Sequence, residues 1–445
     1  MKKSLIVLGS AAMVAAAAVP ALAFENESHG MFRTYGYMSN VYQSAQATSA
    51  GPALTLKSTN KTVSYFEQRA RLQYIAKASD DLKLVTHFEL DSLFGGGNAA
   101  KYQTNDAGGL DADQVTLETK NVYLDFNVAA PVNVKIGLQP FNDAYQGVFG
   151  NFDGSGVMVT GKFGMVTPSL GWFRVGEDTV SATVLPGKKS NDLLAVNAKV
   201  AVSKDLSVGA SYYYFGKDTV NAAFPVAPET VHTLGVDVSA AAGPAAIKGF
   251  GAYQMGDFNK KAGRDLGAYA LGAIAKVKVG PGNVNVSGLY LSGEKTPATG
   301  DFGGWQQLSS SGATSYFGAS NMWLLIRNNA TINTSTAIGG NDLTKGGRGL
   351  LGAFAGFDAA MGKTFFATNL GYAQVAEKRT GEKSSLGTEL NATVGYKLYD
   401  SLAVSLNGAY ALLGDGMTKG TALLPGGLKD AKDPYITFVR VDYTF

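Results

Sequence analysis

The chain has 445 residues, a formal charge of +3, no cysteine, 56 glycines and a mean hydropathy of +0.01. A near-neutral balance gives no reason to expect a nucleic-acid partner or a strongly basic surface, and the lack of cysteine excludes both a disulfide framework and a thiolate metal site. Beyond the N-terminus no segment approaches the run of about 18 apolar residues that marks a spanning helix.

At the N-terminus, Lys2 and Lys3 precede LIVLGSAAMVAAAAVP, and Ala21-Leu22-Ala23 closes the run. A basic start, a short Ala-rich apolar stretch and a small-x-small site predict a secretory signal peptide over 1–23. The remainder, 24–445, shows no linker or composition shift and reads as one domain.

From residue 29 onward, apolar and polar residues alternate with a period of two, the signature of strands with two unlike faces. Strands are predicted near 29–43, 61–78, 81–94, 113–128, 131–140, 155–163, 167–176, 191–203 and 205–216. They continue near 230–242, 244–257, 265–279, 282–293, 347–361, 363–376, 385–399, 401–413 and 433–445, which makes 18. Short links such as SDD (79–81), AAP (129–131), GPG (280–282) and YDS (399–401) alternate with longer ones such as 44–60, 95–112, 141–154, 294–346 and 414–432. Sorting loop length by end is a property of transmembrane barrels, with short periplasmic turns and long extracellular loops. Only helices and closed barrels satisfy every backbone polar group in lipid. The predicted fold is therefore an all-β transmembrane antiparallel barrel of 18 strands, with 16 as the alternative.

The best-marked hairpin is FEQRARLQYIAKASDDLKLVTHFELD, residues 66–91. Phe66, Leu72, Tyr74, Ala76, Leu82, Leu84, Phe88 and Leu90 are at even positions, and Glu67, Arg69, Arg71, Lys77, Lys83, Glu89 and Asp91 at odd ones. A turn centred on Asp80 sets Arg71 opposite Glu89 and Arg69 opposite Asp91, a favourable cross-strand arrangement. A lipid-facing arginine at mid-membrane costs about 2–4 kcal/mol, so the odd face is predicted to look into water. The same parity in NVYLDFNVAAPVNVKIGLQPF, 121–141, turns Asn121, Tyr123, Asp125, Asn127, Asn133, Lys135 and Gln139 inward. In the last segment, DPYITFVRVDYTF, Tyr435, Thr437, Val439, Val441, Tyr443 and Phe445 form the lipid face, and Arg440 and Asp442 the lumen face.

With these residues in place, the sequence resembles the Gram-negative general porins. Three stretches carry the resemblance: the hairpin RARLQYIAKASDDLKLVTHFELD, the hairpin NVYLDFNVAAPVNVKIGLQPF and the terminal YTF. It implies an outer-membrane homotrimer that passes small hydrophilic solutes and ions by passive diffusion, without a cofactor. It also implies recognition of Tyr443 and Phe445 by the barrel-assembly machinery, and a third extracellular loop folded into the lumen. Such porins are typically 16-stranded, and the count of 18 departs from that pattern.

The candidate pore lining is Arg69, Arg71, Lys83, Glu89, Asp91, Tyr123, Asp125, Lys135 and Arg440, with Asp143 and Asp153 supplied by FNDAYQGVFGNFDGSG (141–156). Arg69 and Arg71 either brace the wall as salt-bridged pairs or form a basic ladder facing an acidic third loop. The link 294–346, with Trp305 and NMWLLIRNN (321–329), reads first as a folded external loop, with an extra hairpin or a plug in the lumen as the alternatives. A porin with a lumenal binding ladder for a sugar or anion is the alternative function, and a plugged structural or adhesive barrel a third. His29, His87 and His232 lack metal-ligand spacing, and no catalytic, cofactor or metal constellation is found.

Overall fold

The computed structural model describes residues 25–40, 62–95, 117–177, 190–217, 230–259, 263–294, 300–308, 316–326, 343–344, 346–418 and 432–445, with backbone alone over 42–48 and 51–55. The predicted signal peptide and the links 96–116, 178–189, 218–229 and 419–431 lie outside the described residues.

The chain opens with β1 (Glu25–Ser39), followed by a separate hairpin of β2 (Tyr42–Thr48) and β3 (Gly51–Thr55). Then come β4 (Val63–Ser79), β5 (Leu82–Leu93), β6 (Leu117–Ala129), β7 (Val132–Asn142), β8 (Asn151–Gly161), β9 (Val166–Glu177), β10 (Ser190–Ala201), β11 (Leu206–Lys217) and β12 (Thr230–Ala242). The wall continues with β13 (Ala245–Asn259), β14 (Arg264–Val279), β15 (Gly282–Leu291), β16 (Leu350–Met361), β17 (Thr364–Gln374), β18 (Ser385–Tyr399), β19 (Leu402–Leu413) and β20 (Tyr435–Thr444). Apart from the small hairpin these form one 18-stranded sheet, in which each strand pairs with its neighbours in sequence. β1 pairs with both β4 and β20, so the sheet closes and has no edge. Closure settles the strand number at 18 and sets aside the 16-stranded alternative.

The predicted register holds residue by residue. Arg71 opposes Glu89, Arg69 opposes Asp91 and Gln73 opposes His87, with Leu72–Phe88 and Tyr74–Thr86 on the other face. The outward face is apolar: Phe66, Leu72, Leu84, Leu124, Ile136, Leu271, Val394 and Leu406 are all exposed on the isolated chain. Exposed aromatics stand at two levels of that surface, with Tyr253, Tyr269, Tyr372 and Tyr410 toward the long-loop end and Phe163, Tyr399, Tyr443 and Phe445 at the short-turn end. An apolar band between aromatic girdles is what a lipid-facing barrel wall requires.

The interior divides by height. Near the short turns the inner wall carries polar and charged side chains. Toward the long loops it carries Tyr35, Tyr37, Phe141, Phe173, Tyr213, Phe250, Leu289, Phe354 and Phe438, all buried in one cluster. Two inserts at the long-loop end cover these apolar residues. One is 143–150 between β7 and β8, and the other is the described part of the 292–349 connection between β15 and β16.

Two sequence expectations are corrected here. The segment 141–156 is a loop only over 143–150, because β7 runs to Asn142 and β8 begins at Asn151. The 294–346 link is not an external loop over its described parts. Trp305, Phe317, Met322, Trp323, Leu324, Leu325 and Ile326 are each at most 3% exposed. An apolar run of that length finds cover only inside the barrel, against the aromatic half of the inner wall.

Candidate functional site

The first insert is held by one carboxylate. Asp143 accepts backbone N–H bonds from Tyr145 (2.7 Å), Gly147 (2.8 Å), Phe149 (2.7 Å) and Gly150 (2.7 Å), so the loop winds around it. Burial pushes this carboxyl above its usual range, while the four amide donors pull the other way. Asp143 therefore does not present a free charge to the lumen, as the sequence reading expected. It staples the loop that places Tyr145 and Phe149 against the wall. Tyr145 meets the Ser211 hydroxyl at 2.6 Å, and Phe149 stacks on Tyr213 with ring centroids 5.3 Å apart.

The second insert uses the same device in reverse, because here the wall supplies the acid. Glu389 of β18, 0% exposed, accepts the backbone N–H groups of Trp323 (2.7 Å), Leu324 (2.9 Å) and Leu325 (2.9 Å) and the Asn391 amide (3.1 Å). Asn391 in turn donates to the Asn321 carbonyl at 2.8 Å, and the Ser287 hydroxyl to that of Ala319 at 2.7 Å. The two inserts touch: Trp305 Nε1 donates to the Val148 carbonyl (3.1 Å), and the Leu308 amide to that of Phe149 (3.0 Å). Gln254 of β13 exchanges two bonds with the backbone of Gln306, at 2.7 and 2.8 Å. Together the inserts line the barrel from β11 round to β20, where Trp323 meets Phe438 at 5.6 Å.

At its root the second insert is tied by a buried ion pair between Arg348 and Glu382. The Arg348 guanidinium and the Arg379 amide hold the Glu382 carboxyl down, from 4.5 to about 2. A depressed carboxyl stabilises the folded root fully above about pH 4.5, and that contribution is lost as pH falls through about 2. Hydrogen exchange of the 346–349 and 379–382 amides, corrected for intrinsic rate, should stay flat from pH 7 to about 4.5 and rise below it. Equal protection at pH 3 and pH 7 would remove Glu382 from this role.

The wall from β20 through β6 carries the charges. Asp442 is shared by Arg33 and Arg440, with Arg440 Nε at 2.5 Å. Arg69 Nε meets Asp91 at 2.6 Å, and its Nη2 lies 3.2 Å from Glu89, which also binds Arg71. Arg33 and Arg69 are directly opposed between β1 and β4, so the two clusters form one band. Lower on the wall, Asp125 accepts from Asn133 at 2.7 Å and lies 3.5 Å from Lys83 and 3.9 Å from Lys135, whose ammonium is 5.7 Å from the Tyr123 ring centre. Asp153 sits near the start of β8 rather than in the loop, bound by Lys120 (2.7 Å) and Asn121 (2.8 Å).

The structure thus brings together Arg69, Arg71, Glu89, Asp91 and Arg440 as one band, with Lys83, Asp125, Lys135 and Tyr123 below it. Arg33 completes the band and was missed, although it stands at an odd position among the strand residues HGMFRTYGY. Glu389 carried no local signal, since the three backbone amides it serves lie more than 60 residues away. Among the histidines, His232 meets the Tyr212 hydroxyl at 2.9 Å, His29 lies 3.6 Å from Glu27, and His87 opposes Asn121 on the wall. Among the described residues no group of three or more His, Cys, Asp or Glu is placed to hold a metal ion.

The closed 18-stranded barrel with inward-folded loops is the fold of outer-membrane porins. The outer membrane protein OpdK of Pseudomonas aeruginosa aligns with 11% identity and a TM-score of 0.55, covering 95% of this chain and 98% of that one. A BenF-like porin from Pseudomonas fluorescens Pf-5 gives the same identity, TM-score and coverages. OccK2 (OpdF) of P. aeruginosa, solved in complex with glucuronate, aligns with 12% identity and a TM-score of 0.54, covering 95% and 98%. No protein-family model matches the sequence, and no curated protein matches it.

Proposed function

We propose that the chain forms an outer-membrane channel of a Gram-negative cell through which small hydrophilic solutes and ions diffuse passively. The observation that carries this reading is the closed wall with two unlike faces, apolar between aromatic girdles outside and charged inside. A barrel of this strand number is wide enough to leave an aqueous path past its loops. In this reading segment 1–23 directs export and Tyr443 and Phe445, stacked at 5.5 Å on the lipid face, serve recognition by the assembly machinery. The chain then assembles as a trimer. Liposome swelling tests transport directly: proteoliposomes should swell in monosaccharides and amino acids and progressively less in larger oligosaccharides. No swelling in any solute would contradict the reading.

One observation favours a selective version. Arg33, Arg69, Arg71 and Arg440 occupy adjacent strands, facing a lumen that the inserts narrow. That arrangement suits a small organic anion, and the aligned OccK2 structure holds glucuronate. In this chain, however, Asp442, Glu89 and Asp91 partner the arginines, which limits the net field. Replacing both Arg69 and Arg71 by Gln would strand Glu89 and Asp91 on the wall. Reversal potentials in a salt gradient should then move toward cation preference, and the variant should be less heat-stable because Glu89 loses both guanidinium partners. An unmoved reversal potential would reduce the arginines to wall braces.

A further inference from the structure

We infer that the short-turn mouth of the barrel carries a lysine arc that gives the channel its ionic preference, for anions; this rests on the channel reading above. The inward face is fixed independently of the charges. Tyr145 of the first insert touches Ser211 of β11 and packs on Phe250 of β13, so both point into the lumen. Period two along each strand and the cross-strand registers then place the lysines. Lys248 lies two residues before Phe250, and Lys199 opposes Gly209, two residues before Ser211. Lys276 and Lys278 oppose Asn285 and Asn283, whose amides reach inward Asp358. Lys83 and Lys135 flank Asp125 on the same face.

All of these stand within a few residues of a short turn. Lys199, Lys248 and Lys278 are exposed and make no ion pair among the described residues. The carboxylates facing them at this level are Asp125, Asp237 and Asp358, so ammonium groups are in excess. Lys77 on β4 is neutralised by Glu25 and Glu27 and adds nothing positive. The turns carry Asp80, Asp81, Asp205 and Asp400 against Lys162, Lys204 and Lys363, a near balance. Higher up, the arginine band is matched by its acids. Among the described residues the unbalanced charge is therefore at this mouth, and charged rings of this sign select anions.

Magnitude decides how to see it. With strands ~4.8 Å apart and tilted ~40°, an 18-stranded wall lies ~18 Å from the axis. A lysine reaching ~6 Å leaves its ammonium ~12 Å from the axis, beyond the ~10 Å Debye length of 0.1 M salt but well inside the ~30 Å of 0.01 M. Reversal potentials of the purified full chain in planar bilayers, under a KCl gradient around 0.01 M, should show anion preference that fades toward 1 M. The triple variant K199Q/K248Q/K278Q should lower the anion-to-cation permeability ratio at least about twofold at low salt. It should also reduce current rectification, because the charges sit at one end only. Wild-type preference that is cationic, or independent of salt, overturns the inference without needing the variant. A normally conducting variant with an unchanged ratio overturns it too. Absence of any wild-type conductance overturns the channel reading itself, a separable outcome.

Discussion

Replacing residues 293–348 by a short turn should raise single-channel conductance at least about twofold, because the wall of an 18-stranded barrel is wide enough to conduct once its lumen is cleared. The barrel itself should survive the deletion. Leu291 and Leu350 are already register partners, so β15 and β16 can be joined by a tight turn. Pairing between the barrel strands does not pass through the removed segment, whose described bridge to the wall joins Phe302 to Leu266 of β14. What is lost is the apolar cover over Leu289, Phe354, Ala373 and Phe438. Exposing such side chains to water costs about 25 cal/mol per Å², so the variant should be less heat-stable while still folded. Conductance unchanged from wild type would mean that the insert does not lie in the ion path.

Glu389→Gln should release the tip of that insert without removing it. The carboxylate serves three backbone amides with two oxygens, whereas a glutamine offers one acceptor and turns an NH2 toward the remaining donors. Hydrogen bonds to a charged group are worth about 1.5–3 kcal/mol each, so losing one or two raises the undocked fraction on the order of 100-fold. Limited proteolysis should then nick the 316–326 segment far faster than in wild type, with the barrel intact and with noisier open-channel current. Identical nicking kinetics would show that apolar burial alone holds the tip. Neutralising Asp143 is the matching experiment on the first insert, where four amides would lose their charged acceptor.

Register and the lipid-facing side were legible because they depend on local alternation, whereas the choice of 18 strands over 16 needed the closure of β1 on β20. A one-residue slip would turn Arg69, Arg71 and Glu89 into lipid, so the hairpin 66–91 admits one pairing. The inserts were not legible, for a physical reason. A stretch such as NMWLLI is apolar enough to require cover, but nothing local says whether that cover is outside or within the barrel. Its anchor, Glu389, is a single acid on a strand of ordinary pattern, and only the folded barrel sets it beneath Trp323. Asp143 misled in the opposite sense. An acid in a Gly-containing loop reads as a lumenal charge, while Gly147, at φ 90°, lets the backbone curl so that the loop's own amides consume it. Charge sign along a strand was readable from the sequence. Which charges remain unbalanced was not, because Arg33, Arg440 and Asp442 meet only when the two ends of the chain pair.

The central claim, that this barrel is a water-filled path across an outer membrane, is tested most directly by the conductance of the purified protein in planar bilayers. It predicts discrete steps with a linear current–voltage relation in 1 M KCl, where wall charges are screened to within ~3 Å. A protein that inserts as a folded, heat-modifiable barrel yet passes no current would contradict the claim, and would make the inserts a closed plug.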